Sequence, residues 1–412
     1  MASCSERKQS GSLVAKMAEF VELLESWVRE HGGFVHPAVG IHKGDRGRGA
    51  FASKDLAGEL CRLPPKLLIS EKLAEGSMAF GHELRMAAEE FTAAPGLVLL
   101  TAFLLHEGAA GAHCNSFYAP YFHVLPKKLS SLPVCWPDDH WLHSTIKGSH
   151  LERQVRAKRH NLGLEFALLK SYVGKLPLTW EDFLWARCIV SSRAYSLQSQ
   201  RCLVPWADLL NHGTSSEVCV RYGLEGETAS DFVMNLGQLV PQGAELLQSY
   251  GDKPNATLLL DYGFVLPQAP PAVVSLAFQL PQLLETDPAL KEKKVFWTRV
   301  SKGRSFRKGE LLLEVDEAAE AFLELLRAAV VCGQPQGSSC DLEEKLQDPS
   351  VEMEALIRLQ HSAQQALGKL CEFEGPEVKE DWEVVSQQNC AQALADERCV
   401  LQSLVARAKR ES

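Results

Sequence analysis

The spacing of apolar residues divides the chain into helical and β-type stretches. Apolar side chains recur every three or four residues over 17–28, and Gly32-Gly33 then predicts the end of a helix. Short β-type runs broken by glycine and proline follow over about 34–70, and they return over about 200–265. Between these blocks, over about 71–199, the spacing is helical. The sequence therefore predicts two β-rich blocks separated by a helical insertion.

The end of the chain has helical spacing only. Long amphipathic stretches lie near 310–332, 341–372 and 380–409. Pro267-Gln-Ala-Pro-Pro271 is a stiff break that marks the boundary before them. The expected fold class is α+β, with small β-sheets split by a helical insertion and followed by an all-α C-terminal domain.

Two local patterns in the helical insertion give specific expectations. The apolar run over 96–105 is far shorter than the roughly 18 to 20 residues that span a bilayer, so a buried core helix is expected. Thr179-Trp-Glu-Asp182 has the form of a capping box. It predicts the start of a helix that carries Ser192-Arg-Ala-Tyr195 at or near its C-terminal end.

Composition limits the function classes. With 412 residues and 46% hydrophobic residues, the chain exceeds the size at which one core stops growing, so two or three domains are expected. The net charge is −9, from 43 basic and 52 acidic side chains. This balance disfavours a nucleic-acid backbone as the main partner and suits a basic protein segment.

The twelve cysteines are scattered, with no C-x-x-C pair and no local cluster with histidine. A structural zinc site needs such paired spacing, so no metal is expected. Scattered cysteines are typical of reduced, mostly buried thiols in the cytosol or nucleus. Residues 1–15 lack the apolar middle of a secretory signal and are expected to form a flexible tail. A short transit peptide to a plastid stays an open alternative.

The clearest candidate site lies in the second β-rich block. An apolar run ends in Asn211-His212, a strand then ends in Gln248-Ser-Tyr-Gly251, and Asp261-Tyr-Gly-Phe264 follows. These segments supply an amide, an imidazole and phenols. Such groups can hold a small charged ligand.

The chain resembles SET-domain protein methyltransferases of the class typified by the plant Rubisco large-subunit lysine methyltransferase. The similarity runs from about Ala15 to the C-terminus. The motifs that carry it occur in the order expected for that class: Gly47-Arg-Gly49, Tyr118-Ala-Pro-Tyr121 with Leu125-Pro126, Ser192-Arg-Ala-Tyr195, Asp208-Leu-Leu-Asn-His212, Ser249-Tyr-Gly251 and Asp261-Tyr-Gly-Phe264. The absence of zinc-type cysteines also fits this class.

The resemblance implies both a domain organisation and an activity. It implies a SET domain over 16–266, split by the insertion at about 71–199, and a helical substrate-binding domain over 272–412. The implied reaction is transfer of a methyl group from S-adenosyl-L-methionine to a lysine of a protein substrate. The protein is expected to be a monomer without a membrane or nucleic-acid partner, in the cytoplasm, the nucleus or both.

The resemblance also implies roles for residues of the cofactor site. Arg193 is expected to bind the α-carboxylate, because a guanidinium binds a carboxylate in bidentate fashion. Asn211 is expected to offer its amide oxygen to the α-ammonium, and the backbone of His212 to pair with the adenine. A glycine-rich turn would let the backbone approach the cofactor closely. The remaining cofactor-binding residues are expected to be Gly47, Arg48, Gly49, Ala50, Asp208 and Tyr250.

Tyr250 is the expected catalytic residue. Its hydroxyl would lie where the cofactor methyl meets the substrate nitrogen, and it need not be a full base, because the adjacent sulfonium lowers the pKa of the amine. The substrate lysine channel is expected to be lined by Ser192, Tyr195, Ala207, Asp208 and Tyr262.

Two positions favour lysine over histidine as the acceptor. A related branch of the class, which methylates a histidine in actin, has Asn in place of Tyr195 and Trp in place of Ala207. A lysine needs an apolar aromatic tube, whereas an imidazole needs a hydrogen-bond partner and a flat wall. The segment 213–222 departs from the class, since it lacks a clear match to an aromatic residue that lines the channel. Tyr222 is a candidate to replace that residue.

Two alternative functions stay open at this point. One is a protein-histidine N-methyltransferase of the actin-histidine type. The other is a catalytically inactive SET-fold protein-interaction module, although Arg193, Asn211 and Tyr250, whose loss would favour it, are all present. The motifs report on cofactor and chemistry, so the protein substrate is not identified by them.

Overall fold

The structure is a computed structural model that forms two compact units. One unit consists of Met1–Leu129 and Lys158–Asp252, and the other of Ser130–Ala157 and Lys253–Ser412. The predicted SET domain (16–266) and helical domain (272–412) follow the resemblance rather than this division, and their limits stay a prediction. The residues that the structure describes are 4–92, 94–108, 115–173, 178–225, 230–279, 287–300, 310–315, 319–334, 342–370 and 380–411.

The secondary structure alternates between helical and β-rich segments, as the apolar spacing predicts. The helices of the described residues are α1 (Cys4–Glu30), α2 (Glu71–Ser77), α3 (Gly81–Phe91), α4 (Pro95–His106), α5 (Ala119–Val124), α6 (Leu142–Thr145), α7 (His150–Val173), α8 (Trp180–Arg193), α9 (Asn255–Tyr262), α10 (Leu290–Val300), α11 (Glu320–Gly333), α12 (Leu342–Lys345), α13 (Pro349–Lys369) and α14 (Asp381–Glu411). Their strands are β1 (Phe34–Val35), β2 (Val39–Gly44), β3 (Gly47–Ala52), β4 (Glu59–Leu63), β5 (Ile69–Ser70), β6 (Tyr195–Leu197), β7 (Gln200–Leu203), β8 (Val220–Glu225), β9 (Asp231–Leu236), β10 (Val274–Gln279) and β11 (Glu310–Val315).

The two β-rich blocks meet in the first unit. Strand β4 of the first block pairs antiparallel with β9 of the second, in a four-stranded sheet of order β1-β4-β9-β8. Strand β5 pairs with β7 in a three-stranded sheet, and β2 and β3 form a hairpin. The helical insertion is therefore a true insertion between strands that are neighbours in space.

Helix boundaries in the first unit follow local sequence signals. Helix α1 ends at Glu30, before Gly32 with a φ of 81°, which only glycine adopts without strain. Its span includes residues 4–15, for which the sequence predicts a flexible tail. Helix α8 begins after Thr179, whose hydroxyl accepts a hydrogen bond from the Asp182 amide at 3.1 Å. The run over 96–105 forms α4, which is buried along most of its length.

The second unit has its own hydrophobic core, built largely by α11, α13 and α14. The helical character of the C-terminal region is confirmed, with one feature that the pattern did not predict. Strands β10 and β11 pair antiparallel over six residues each, and Val274 and Leu276 of β10 contribute to the core. The prediction of an all-α C-terminal domain is therefore wrong for these two strands. The short apolar run of β11 does not by itself distinguish a strand from a helix, and its strand partner β10 is distant in the sequence.

A buried carboxylate of the second unit caps the first residue of α7, which lies in the same unit. Glu397 of α14 is only 4% exposed, and its two oxygens accept the backbone N–H of His150, the first residue of α7, at 2.8 and 3.0 Å. The position suits an acidic group, because helix N-termini carry partial positive charge. Burial nevertheless raises the pKa of Glu397 to about 7.

The described ranges also show the state of the cysteines, the absence of metal-type clusters and the absence of membrane-spanning helices. The cysteines there include free thiols that are mostly buried, with Cys399 exposed. In the same ranges, histidine, cysteine and acidic side chains do not form a group that could hold a metal ion. No helix in the described part of the chain is both long enough and apolar enough to cross a membrane.

Candidate active site

The candidate site of the first unit is built where two chain segments lie side by side. Trp206 is buried and has a φ of 70°. A short 3-10 turn over Ala207–Leu209 follows it. A positive φ at a bulky residue is strained, and strained residues cluster at functional sites. The following His212 then pairs with Gln248 as a parallel bridge, in which Gln248 N–H donates to the Asn211 carbonyl at 3.0 Å.

One end of the site is a cluster of two arginines and one carboxylate. Arg193 Nη1 donates to Asp208 Oδ2 at 3.1 Å and to the Asp208 carbonyl at 2.9 Å. The Tyr121 hydroxyl donates to the same Asp208 Oδ2 at 2.8 Å. The guanidinium of Arg48 donates to the sulfur of Met17 at 3.0 Å, and a thioether is a weak acceptor.

The cluster carries an excess of one positive charge. Burial and the charge of Arg193 lower the pKa of Arg48 to about 10. Burial alone would also lower the pKa of Arg193, but the charge of Asp208, the nearby Tyr121 and Tyr250, and the hydrogen bond to Asp208 together outweigh it, and the pKa is raised. Among the described residues, the buried Arg193 Nε and Asp208 Oδ1 have no hydrogen-bond partner. Two guanidiniums beside one carboxylate form a site suited to an anionic group.

Asn211 is held by the glycine-rich hairpin. Its Nδ2 donates to the Arg48 carbonyl at 3.1 Å and to Glu245 Oε1 at 2.8 Å. Both amide hydrogens are thus used within the protein, which leaves Oδ1 as an acceptor. The approach depends on Gly49, because a Cβ there would lie 2.7 Å from Asn211 Nδ2 and would also collide with the Glu245 carboxylate. A side chain at position 49 is therefore incompatible with this arrangement.

His212 and Tyr250 form the centre of the site. Their rings stack with centroids 5.0 Å apart and planes inclined by 13°. Burial lowers the pKa of His212, so its neutral ring can accept the Tyr250 backbone N–H at Nδ1, at 3.1 Å. The Tyr250 hydroxyl donates to the Leu210 carbonyl at 2.8 Å. Both the ring and the hydroxyl of Tyr250 are therefore fixed by the protein.

An aromatic group lies beside this centre. Tyr195 is buried and donates its hydroxyl to the Ala207 carbonyl at 2.9 Å. Its ring meets Tyr222 edge to face at 4.9 Å and Phe232 at 5.3 Å. Tyr222 is 40% exposed and so connects this group with solvent. The contact fits the sequence-based suggestion that Tyr222 supplies an aromatic wall.

Two of the predicted channel residues, Ser192 and Tyr262, have contacts within their own segments. The Ser192 hydroxyl bonds back to the Cys188 carbonyl within α8, at 2.8 Å. Tyr262 lies at the end of α9 in the second unit, where its ring is 6.1 Å from that of Phe264. The other predicted residues all belong to the first unit, and the assignment of Ser192 and Tyr262 to a channel stays a prediction.

Sequence reasoning missed three residues of the site and understated the role of a fourth. Tyr121 belongs to a motif that supported the resemblance, but no role was predicted for it. Glu245 and Gln248 lie in the strand-like segment before Tyr250, where a buried Gln between apolar residues was the available signal. Arg48 was predicted for its backbone, whereas its side chain also faces the charge of Asp208.

Comparisons with known proteins find relatives among SET-domain proteins and N-methyltransferases. No protein-family model matches the chain. SET domain-containing protein 4 of Mus musculus is 29% identical over 204 residues, or 44% of each chain. Protein-lysine N-methyltransferase EFM1 of Saccharomyces cerevisiae is 25% identical over 294 residues, which are 58% of this chain and 48% of that protein.

The chloroplastic ribulose-1,5 bisphosphate carboxylase/oxygenase large subunit N-methyltransferase of Pisum sativum is 26% identical over 292 residues. These are 66% of this chain and 56% of that protein. The chain thus spans about half the length of these relatives.

Solved structures show the same fold over nearly the whole chain. A structure of Rubisco LSMT bound to sinefungin and monomethyllysine matches with a TM-score of 0.73 at 20% identity, covering 95% of this chain and 92% of that one. The SET domain of LSMT bound to lysine and AdoHcy matches with a TM-score of 0.72 at the same identity and coverage. The resemblance to SET-domain proteins of the Rubisco large-subunit methyltransferase class is therefore confirmed, in the fold and in the sequence relatives.

Proposed function

We propose that the chain is an S-adenosylmethionine-dependent protein-lysine N-methyltransferase. The observation that carries the proposal is the excess positive charge of the Arg48, Arg193 and Asp208 cluster, next to the acceptor oxygen of Asn211 and the fixed hydroxyl of Tyr250. The names of relatives support the same activity, since one of them is a protein-lysine N-methyltransferase and another is an N-methyltransferase of a protein subunit.

The donor set fits the amino-acid end of the cofactor. An α-carboxylate would neutralise the surplus charge of the cluster, and Arg193 Nε, which is buried without a partner in the described residues, would gain an acceptor. The Oδ1 of Asn211 and the carboxylate of Glu245 are acceptors for an α-ammonium. The opposite polarity of these two groups would orient a zwitterion. The residues present therefore match this ligand group by group.

The centre of the site can orient the acceptor nitrogen. Because the Tyr250 O–H donates to the Leu210 carbonyl, the lone pairs of its oxygen stay available to accept an N–H of the substrate amine. The bound cofactor would supply an electrophilic methyl group and a positive charge that favours the deprotonated amine. Transfer then depends on alignment and on excluding water, which rigid, half-buried side chains provide.

The aromatic group favours a lysine side chain as the acceptor. Tyr195 and Tyr222 present an edge-to-face pair, and aromatic faces attract an ammonium while packing against its methylene stem. Ala207 adds no bulk beside them. Because the net charge is −9, we expect the target lysine to lie within a basic segment of a protein substrate. We expect the enzyme to be a monomer that acts in the cytosol or nucleus.

The test separates cofactor binding from methyl transfer. Calorimetry should show one S-adenosylmethionine bound per chain, and Tyr250→Phe should bind it equally well while turnover falls on the order of 100-fold. Tyr118→Phe is a matched control, because its hydroxyl also donates to a backbone carbonyl, that of Lys66 at 3.1 Å. Full turnover in Tyr250→Phe would refute the role of this hydroxyl. Absence of cofactor binding by the wild-type protein would refute the function.

A further inference from the structure

Gln248 is a polar side chain in an apolar segment. It is 1% exposed, and its neighbours Leu246 and Leu247 are buried as well. A methionine would fill a similar volume there without an amide to satisfy. Packing alone therefore does not account for the amide, and the hydrogen bonds that it makes become informative.

The amide of Gln248 contacts a tyrosine hydroxyl and two backbone carbonyls. Its Nε2 lies 2.8 Å from the Tyr195 hydroxyl, 3.2 Å from the Leu210 carbonyl and 3.3 Å from the Ala207 carbonyl. Burial raises the pKa of Tyr195 well above its ordinary value, so the phenol keeps its proton. The Tyr195 hydroxyl lies 2.9 Å from the Ala207 carbonyl and 3.0 Å from Gln248 Oε1, and donation to the Ala207 carbonyl is the arrangement that leaves its oxygen as an acceptor for Nε2. The two amide hydrogens then go to the Tyr195 oxygen and the Leu210 carbonyl.

The Leu210 carbonyl also holds the hydroxyl of Tyr250, at 2.8 Å. A carbonyl oxygen has two lone pairs, so the bonds from Gln248 and Tyr250 occupy both. The bonds form one chain from the Tyr250 hydroxyl through Leu210 and Gln248 to Tyr195. With the Tyr195 proton on the Ala207 carbonyl, each hydrogen in this chain has one acceptor, and the Tyr250 O–H bond points at the Leu210 carbonyl.

We propose that Gln248 is a positioning residue for methyl transfer, which holds the Leu210 carbonyl and the Tyr195 hydroxyl and thereby fixes the Tyr250 hydroxyl and the aromatic wall. This inference rests on the proposed function and extends it to a residue that touches neither reactant. Without the amide, the Leu210 carbonyl has a free lone pair that can bind water or the substrate amine. The Tyr250 hydroxyl then has competing orientations.

The test compares two substitutions by methionine in adjacent positions. Gln248→Met removes the amide at nearly constant volume, and Leu247→Met changes an adjacent buried side chain that makes no hydrogen bonds of its own. We expect Gln248→Met to lower kcat for a protein substrate on the order of tenfold. The Kd for S-adenosylhomocysteine and the KM for the cofactor should stay within about twofold. Leu247→Met should keep kcat within about twofold.

Tyr195→Phe is a second variant that does not depend on the folding of Gln248→Met. It deletes one partner of the amide and leaves the bond to Leu210, so a smaller fall in kcat of about threefold is expected. An unchanged kcat in either variant would overturn the inference. Equal losses of kcat and cofactor affinity would also overturn it, since they indicate a general structural role. A wild-type protein without methyl transfer would instead refute the proposed function itself.

Discussion

Replacing Arg48 by methionine should make the protein more stable and its cofactor binding weaker. The pKa of Arg48 is lowered to about 10, which is about 2.5 below the ordinary value of an arginine and corresponds to about 3 kcal/mol. At pH 7 the side chain is charged in both the folded and the unfolded state, so the folded protein bears this cost in full. Because the side chain is partly exposed, we take about 2 kcal/mol as the gain in free energy of unfolding on Arg48→Met.

The gain can be measured by thermal unfolding with and without S-adenosylhomocysteine. A gain of about 2 kcal/mol raises the Tm of a unit of this size by about 4 to 8 °C. The shift caused by saturating ligand should shrink, because the variant has lost the surplus charge that attracts the carboxylate. Opposite signs of the two effects distinguish a binding residue from a structural one.

Arg62→Met is the matched control for this experiment. Arg62 also lies in the first unit, but its hydrogen bond with Glu59 raises its pKa, so the folded state favours its charge. We expect no gain in Tm and an unchanged ligand shift. A lower Tm in Arg48→Met together with an unchanged ligand shift would refute the assignment of an anion site to this cluster.

Two further predictions concern a glycine and a buried acid. Gly49→Ala should lower the affinity for S-adenosylhomocysteine by tenfold or more, on the order of one overpacked contact, because a Cβ would lie 2.7 Å from Asn211 Nδ2. Gly223→Ala in β8, where a Cβ meets open space, should bind S-adenosylhomocysteine with the wild-type affinity. Equal affinities of the Gly49→Ala and Gly223→Ala variants would contradict the geometry. Glu397→Gln should raise the Tm at pH 8 but not near pH 4.5. The pKa of Glu397 is raised to about 7, so the protonated acid is stable in the folded protein below pH 4.5. As the pH rises through 7, the wild-type protein loses at most about 3 kcal/mol of its free energy of unfolding, and the glutamine variant does not. A pH-independent difference in Tm would contradict this account.

The arrangement of the β-rich blocks could be predicted because its signals are local. Strand-type runs, glycine turns and capping residues are readable within a few positions of the chain. Because both blocks contribute residues to one site, the sequence predicts that they meet in space. It does not predict that β4 pairs with β9, or in which register, because both depend on residues that are far apart in the chain.

The cluster beside Arg193 was only partly predictable for the same reason. Tyr121 and Asp208 share a hydrogen bond although they are 87 residues apart, and nothing near either residue reports it. The side chain of Arg48 gains its significance only from the charges that the fold places around it. The sequence motifs identified the residues of the cluster, but its excess of positive charge could be recognised only in the structure.

The hairpin of the second unit shows a different limit. Glu310-Leu-Leu-Leu-Glu-Val315 is a short apolar run in which every residue but the valine is a good helix former, so its spacing does not distinguish a helix from a strand. Its pairing with Val274–Gln279 decides the outcome, and that pairing is non-local. Tertiary contacts override local propensity here.

The most direct test of the central claim is the position of the transferred methyl group. A cell lysate is incubated with the purified protein and S-adenosylmethionine carrying a labelled methyl group, and mass spectrometry locates the label on proteins. We expect the label on the side-chain nitrogen of lysine, and its loss with Tyr250→Phe. A label on histidine, or no labelled protein although the cofactor binds, would contradict the account.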